Sequence, residues 1–319
     1  MALRRGNPGA NLSTESHLKR LWIADDPSRE FVAASPPMRR VFIGSEAVAA
    51  GRVTKYQLAT VYQRVLPDIY APKGELSLDD RIYAAWLWSR RGGIVTGLAA
   101  SAWHGAKWVD AGTPVELNLV NRKAPPGVIV RNDTIFDHEV VKRRGIPVTT
   151  VARTAFDLAR RGDEKKAIAR VDALARSTHF DHADVLSVAQ QHPHVKGLCR
   201  VASVLQQSDP GAESLRETEL RLMLIAAGFP RPQTQIRVRR PNGRSYYLDM
   251  GWPELLIAVE YDGEHHRTDR LSFTNDIGRS EYLASVGWIV IRVLVSHQQW
   301  EIVDRVHRAR QVRLTAQAS

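Results

Sequence analysis

The sequence predicts an α+β chain of several domains, and three observations carry that expectation. Helix-periodic segments with capping residues alternate with short apolar runs of strand length, a pattern that excludes an all-helical bundle. At 319 residues the chain is long enough for two or three separate cores. Charge is also unevenly spread. Residues 206–319 hold 15 arginines, no lysine and 14 acids, a net of +1; the whole chain carries +11, so the first 205 residues carry the other +10. Such a basic front is either the footprint of a module that meets nucleic-acid phosphate or plain solubility charge.

Residues 1–37 mix Asn, Pro, Ser, Asp and Arg without an apolar face, which predicts a disordered tail, with Met38 as an alternative translation start. No apolar run approaches the roughly 18 residues of a membrane span, so no membrane partner is expected. The single cysteine, Cys199, excludes an internal disulfide and a cysteine-rich zinc site. It fits a reducing cytoplasm and reads as a small core residue.

Residues 38–74 form the first regular segment. Ser45 is placed to cap a short helix ending at Gly51, and Thr54 with Gln57 makes a capping box for a second helix through about Gln63. Leu66–Gly74 reads as a short strand and turn. Helix, turn, helix, hairpin is the outline of a winged helix. Arg39, Arg40, Arg52, Lys55, Arg64 and Lys73 are candidates to meet phosphates, and Lys55, Tyr56 and Gln57 open the second helix, where base edges are usually read. The stretch resembles the N-terminal winged helix of AbiEi-type antitoxins of type IV toxin–antitoxin systems, with the third helix shortened. That resemblance implies DNA and a toxin as partners; a structural or protein-binding winged helix is the alternative.

Residues 75–205 continue as a mixed α+β and helical domain. Helices are expected at Asp79–Ser89, with Ile82, Ala85 and Trp86 on one face, and at Thr96–Trp103; strands follow at Val115–Val120 and Val128–Arg131. A threonine-capped helix then places Arg153 and Asp157 for an i,i+4 pair. This pattern resembles the core domain of AbiEi-like antitoxins. His104, ending a helix without a catalytic partner nearby, reads as structural, and His179, His182, His192 and His194 read as exposed, since their spacing matches no zinc site. Ser208–Gly211 marks a boundary.

Residues 206–319 carry the sequence's clearest chemistry. Asp249 lies on an apolar strand; a tight turn over Gly251–Glu254 leads to a second apolar run, Leu255–Val259, which ends in Glu260 and Asp262. Charge is costly there unless it is paired, and converging carboxylates suit a hard cation, Mg2+ or Mn2+. An ordinary solvated strand end is the competing reading. Glu217 lies on the apolar stripe of the helix running to Gly228; it is either a fourth acid or an exposed partner of Arg221. Arg292, on an apolar strand, needs Glu260 or a phosphate as partner, and a last helix directs Val303, Val306 and Val312 inward and Arg305, Arg308, Arg310 and Arg313 outward.

Ser214-Leu-Arg-Glu217, Leu248-Asp249, Val259-Glu-Tyr-Asp-Gly-Glu-His265, Asp276-Ile-Gly-Arg279 and Gly287-Trp-Ile-Val-Ile-Arg292 together resemble the Vsr-like, domain family 559 branch of the PD-(D/E)xK endonucleases. The resemblance implies a restriction-endonuclease-like mixed sheet flanked by helices, and metal-dependent cleavage of DNA phosphodiesters. It makes Asp249 the central metal ligand, Glu217, Glu260 and Asp262 the further acids and His265 a candidate for handling protons; water activated by the metal would then use His265 or His266 as base, with Arg279 or Arg292 stabilising charge on the phosphate. The wider nuclease superfamily's usual lysine is missing: Asp262 stands in its place, where the Vsr-like branch has a histidine, and no lysine follows Lys196. The sequence therefore points first to a Mg2+- or Mn2+-dependent endodeoxyribonuclease and, as the alternative, to a non-catalytic, AbiEi-like DNA-binding regulator; a homodimer is left open.

Overall fold

The computed structural model describes residues 40–120, 123–262 and 270–318. The expectations for residues 1–37, the start at Met38, Arg39, His265 and His266 lie outside the described residues. From Arg40 onward the described chain clusters as one unit, with mixed α+β architecture.

Strands β1 (Phe42–Ile43), β2 (Tyr62–Leu66) and β3 (Ile69–Pro72) form an antiparallel sheet in the order β1-β3-β2, with α1 (Gly44–Ala49) and α2 (Lys55–Thr60) between β1 and β2. Helix, helix and hairpin follow one another as the sequence predicts. The capping box also forms: the Gln57 amide donates to Thr54 Oγ1 at 3.1 Å, and the Thr54 amide to Gln57 Oε1 at 2.8 Å. Two boundaries differ. α2 ends at Thr60 because Tyr62 already pairs with Pro72, and Ser45 caps nothing because its hydroxyl donates to Asp68 at 2.6 Å.

Next come α3 (Leu78–Trp88), β4 (Ile94–Val95), α4 (Gly97–Trp103), β5 (Val115–Asn118), β6 (Val128–Arg131), β7 (Val140–Arg143) and β8 (Ile146–Thr149), whose strands form a sheet in the order β6-β5-β4-β8-β7. α3 is closed by a second capping box, Ser77 with Asp80. Ile43, Leu66 and Ile69 of the first sheet share one buried cluster with Ile82, Leu87, Leu117 and Ile146, so apolar packing runs straight across residue 74. Helices α5 (Val151–Arg160), α6 (Glu164–Thr178), α7 (His182–Gln191) and α8 (Val201–Gln207) pack around Phe156, Ile168 and Leu174. Cys199 is exposed rather than a core residue, sitting in the short 3-10 turn before α8.

The last segment runs α9 (Leu215–Ala226), β9 (Gln233–Arg239), β10 (Ser245–Trp252), β11 (Ile257–Tyr261), α10 (Arg270–Ser285), β12 (Ile289–Val293) and α11 (Gln299–Ala318). Its sheet has the order β12-β11-β10-β9: β9, β10 and β11 are antiparallel, and β12, reached through α10, lies parallel to β11. The turn between β10 and β11 falls at 253–256, later than expected. Gly251 remains in the ladder opposite Ala258, where a Cβ would sit 2.1 Å from the Ile257 carbonyl oxygen. In α11 the inward residues are Ile302, Val306 and Ala309, while Val312 is exposed. The arginines there are mostly engaged: Arg305 donates to the Arg292 carbonyl at 2.9 Å, Arg313 to the Gly287 carbonyl, and Arg310 stacks on Phe229. Only Arg308 stands outward, paired with Asp304.

Candidate nucleic-acid interface and acidic cluster

The front module presents its polar residues freely. Arg40, Arg52, Lys55, Tyr56, Gln57, Arg64 and Lys73 are all exposed, and α2 buries none of its six residues. Tyr56 is 76% exposed, which leaves its ring and hydroxyl open to a ligand. Gln57 is partly committed, because its Oε1 closes the capping box and only its amide nitrogen remains to meet a ligand.

Behind this surface the 94–207 region is braced by buried ions. Arg153 is fully buried and donates from Nε to Asp157 at 3.1 Å, the i,i+4 contact the sequence predicts. From Nη1 it also donates to Glu139 at 2.6 Å and to the Thr134 carbonyl at 3.0 Å. His192, expected on the surface, is buried between Phe136 and Phe156 and reaches Glu139 at 2.8 Å. Spacing alone could not show this, since Phe136 and Glu139 lie over 50 positions away. His104 is structural: it meets the Thr149 carbonyl at 2.7 Å and the Arg143 guanidinium at 2.8 Å, and burial holds its pKa below the usual histidine range.

α9 joins this region to the last sheet. Glu217 and Arg221 do not pair. Arg221, fully buried, donates to Asp172 of α6 at 2.8 Å, beside the Thr218 hydroxyl at 2.8 Å and the Asp209 amide at 2.7 Å. Glu217, also buried, turns back on its own helix start, accepting from the Ser214 hydroxyl at 2.9 Å and the Glu213 amide at 2.8 Å. It is neither exposed nor free.

The acids of the last segment do come together electrostatically. Burial pushes Glu217 up to about 7, with the Asp249 charge adding to it. Burial also raises Asp249, with Glu213 and Asp262 adding, although the Tyr261 amide donates to it at 2.8 Å. Glu260 is pushed up to about 7 by burial, opposed by Arg279 and reinforced by Asp249. The arginine partners differ from expectation: Arg279 pairs with Glu260, while Arg292 is held by Asp276, at 2.7 Å from Nη2, and by Ser280. α10 brings both Asp276 and Arg279 over the sheet, so the helix rather than the strand neighbour decides the pairing.

Oxygen donors of this kind suit a hard cation chemically. Among the described residues, Arg279 occupies Glu260 and the helix start occupies Glu217, and no group of three acids, histidines or cysteines stands close enough to hold a metal ion; His265 and His266 lie outside those residues. No helix among the described residues is long and apolar enough to cross a membrane.

The buried ionic brace and its sheet fall where known proteins match. Residues 93–207 match the AbiEi antitoxin C-terminal domain. Two relatives, Uncharacterized protein MT2308 of Mycobacterium tuberculosis (strain CDC 1551 / Oshkosh) and Uncharacterized protein Rv2248 of strain ATCC 25618 / H37Rv, are each 27% identical over 176 residues. The alignment covers 53% of this chain and 65% of the relatives' length. The family match falls within and just beyond the domain expected at 75–205, and residues 38–74 and most of 206–319 lie outside it.

Proposed function

We propose that this chain is a DNA-binding protein of the toxin–antitoxin kind, with the module at residues 40–74 meeting the duplex and a toxin as its protein partner. The observation that carries the reading is the match of residues 93–207 to the AbiEi antitoxin C-terminal domain. It is supported by α2, which buries none of its residues and has exposed Lys55 and Tyr56 at its start. Labelled duplexes containing the chain's own promoter and random duplexes, titrated with the protein in the presence of a chelator, test it. Promoter binding tighter by roughly a thousandfold is expected; equal affinity for both duplexes would refute a regulatory role.

A second reading, metal-dependent cleavage of DNA at the Asp249 cluster, is supported by the buried Glu217 and Glu260 on adjoining elements, each raised in part by the charge of the half-buried Asp249. It ranks below the first because Arg279 and the α9 start already satisfy two of the three. Incubating labelled single-stranded, duplex and mismatched DNA with the protein and Mg2+ or Mn2+ separates the readings. Cleavage lost in Asp249→Ala would establish the second, and intact DNA in every condition would dismiss it.

A further inference from the structure

We infer that the β9–β10 hairpin is a second DNA contact, an arginine ribbon that grips duplex phosphates apart from the front module. This rests on the DNA-binding reading above and adds to it a surface in the segment whose net charge is only +1. From Gln233 to Leu248 the hairpin carries Arg237, Arg239, Arg240 and Arg244 and no acid. Among the described residues, none of the four pairs with a carboxylate, whereas Arg279 and Arg292 in the same segment both do.

The ribbon's geometry suits a duplex. Arg237, Arg239 and Arg244 are exposed, and Arg237 stands directly opposite Tyr247, itself 53% exposed. Arg240 lies over the Tyr246 ring at 4.7 Å, which fixes its guanidinium plane. The tip stands clear, with nothing within 4 Å of where a Cβ at Gly243 would lie. One face of the hairpin is held along its length: Ile236, Val238 and Leu248 pack with Leu283 of α10, and near the turn the Tyr282 hydroxyl donates to the Arg239 carbonyl at 2.7 Å. A rigid two-stranded ribbon is narrow enough for the major groove, and guanidinium forks match phosphate oxygens. Arginines that meet no carboxylate among the described residues, in a nearly neutral segment, suit a polyanion.

The test is fluorescence anisotropy of the full chain on a random-sequence duplex across a salt series. The variant Arg237→Gln/Arg239→Gln/Arg244→Gln is compared with Arg52→Gln/Lys55→Gln and with wild type. Each phosphate contact contributes about one to the slope of log affinity against log salt, so the triple variant should lose about 3 and the double variant about 2. Arg244→Gln alone, at the open tip, should lose about 1 and guards against misfolding of the triple variant. An unchanged slope in the hairpin variants, with a reduced slope in the double variant, overturns this proposal and leaves the DNA-binding reading intact. No duplex binding by wild type overturns both.

Discussion

Replacing Arg221 with methionine should destabilise the protein by about 3–5 kcal/mol at pH 8, because the change strands a buried carboxylate rather than merely removing a contact. Asp172 and Arg221 are 1% and 0% exposed, and Asp172 accepts three donors: Arg221, the Thr218 hydroxyl and the Asp209 amide. Even so, burial raises its pKa to about 6. Without Arg221 the two remaining neutral donors do not balance the charge, and the pKa rises further. The sign follows: a carboxyl raised in the folded state is most stabilising when protonated, so stability falls as pH rises through the folded pKa. The gap between wild type and Arg221→Met should therefore be widest at pH 8 and narrow clearly by pH 5. Urea melts at both pH values measure it. Asp172→Asn combined with Arg221→Met should recover part of the loss at pH 8, giving a coupling energy of at least about 1 kcal/mol. A gap equal at the two pH values would mean that the cost is lost packing alone, and would refute the stranded-charge argument.

Further outcomes can be checked in the same way. Gly97→Ala should destabilise by about 2 kcal/mol or more, read as a fall in Tm, since Gly97 has φ +58° and a Cβ would meet the Glu116 carboxylate at 2.2 Å. Glu260→Gln should flatten the decline in stability between about pH 4.5 and 7: burial pushes Glu260 up from 4.5 to about 7, so its contribution, complete below the unfolded value, is lost as pH rises through the folded one. His192→Ala should cost about 2–4 kcal/mol in thermal unfolding, because it empties the slot between Phe136 and Phe156 and removes a partner from buried Glu139. Lys55→Ala should weaken binding to all duplexes evenly and lower the salt slope by about 1, whereas Tyr56→Ala should erode the preference for the promoter.

The sequence by itself determined what is local. The Thr54–Gln57 capping box, the Arg153–Asp157 pair, the stop at Gly228 and the apolar runs of β11 and β12 depend on residues a few positions apart, so their spacing was enough to place them. It also drew Glu217, Asp249 and Glu260 into one segment, and that much of the candidate site was legible. The tertiary structure alone decided which charges face which. Arg221 leaves Glu217 for Asp172, 49 positions away, and Arg292 takes Asp276 rather than Glu260, because α10 lowers both Asp276 and Arg279 onto the sheet. His192 is buried although its neighbours in sequence are polar, because Phe136 and Phe156 close over it from separate elements. The four hairpin arginines are not singled out by the sequence, because only the structure shows that among the described residues none of them meets a carboxylate. Periodicity reports which side of an element is apolar, but the partner of a buried charge is set by how elements far apart in the chain pack, and desolvation makes that choice decisive.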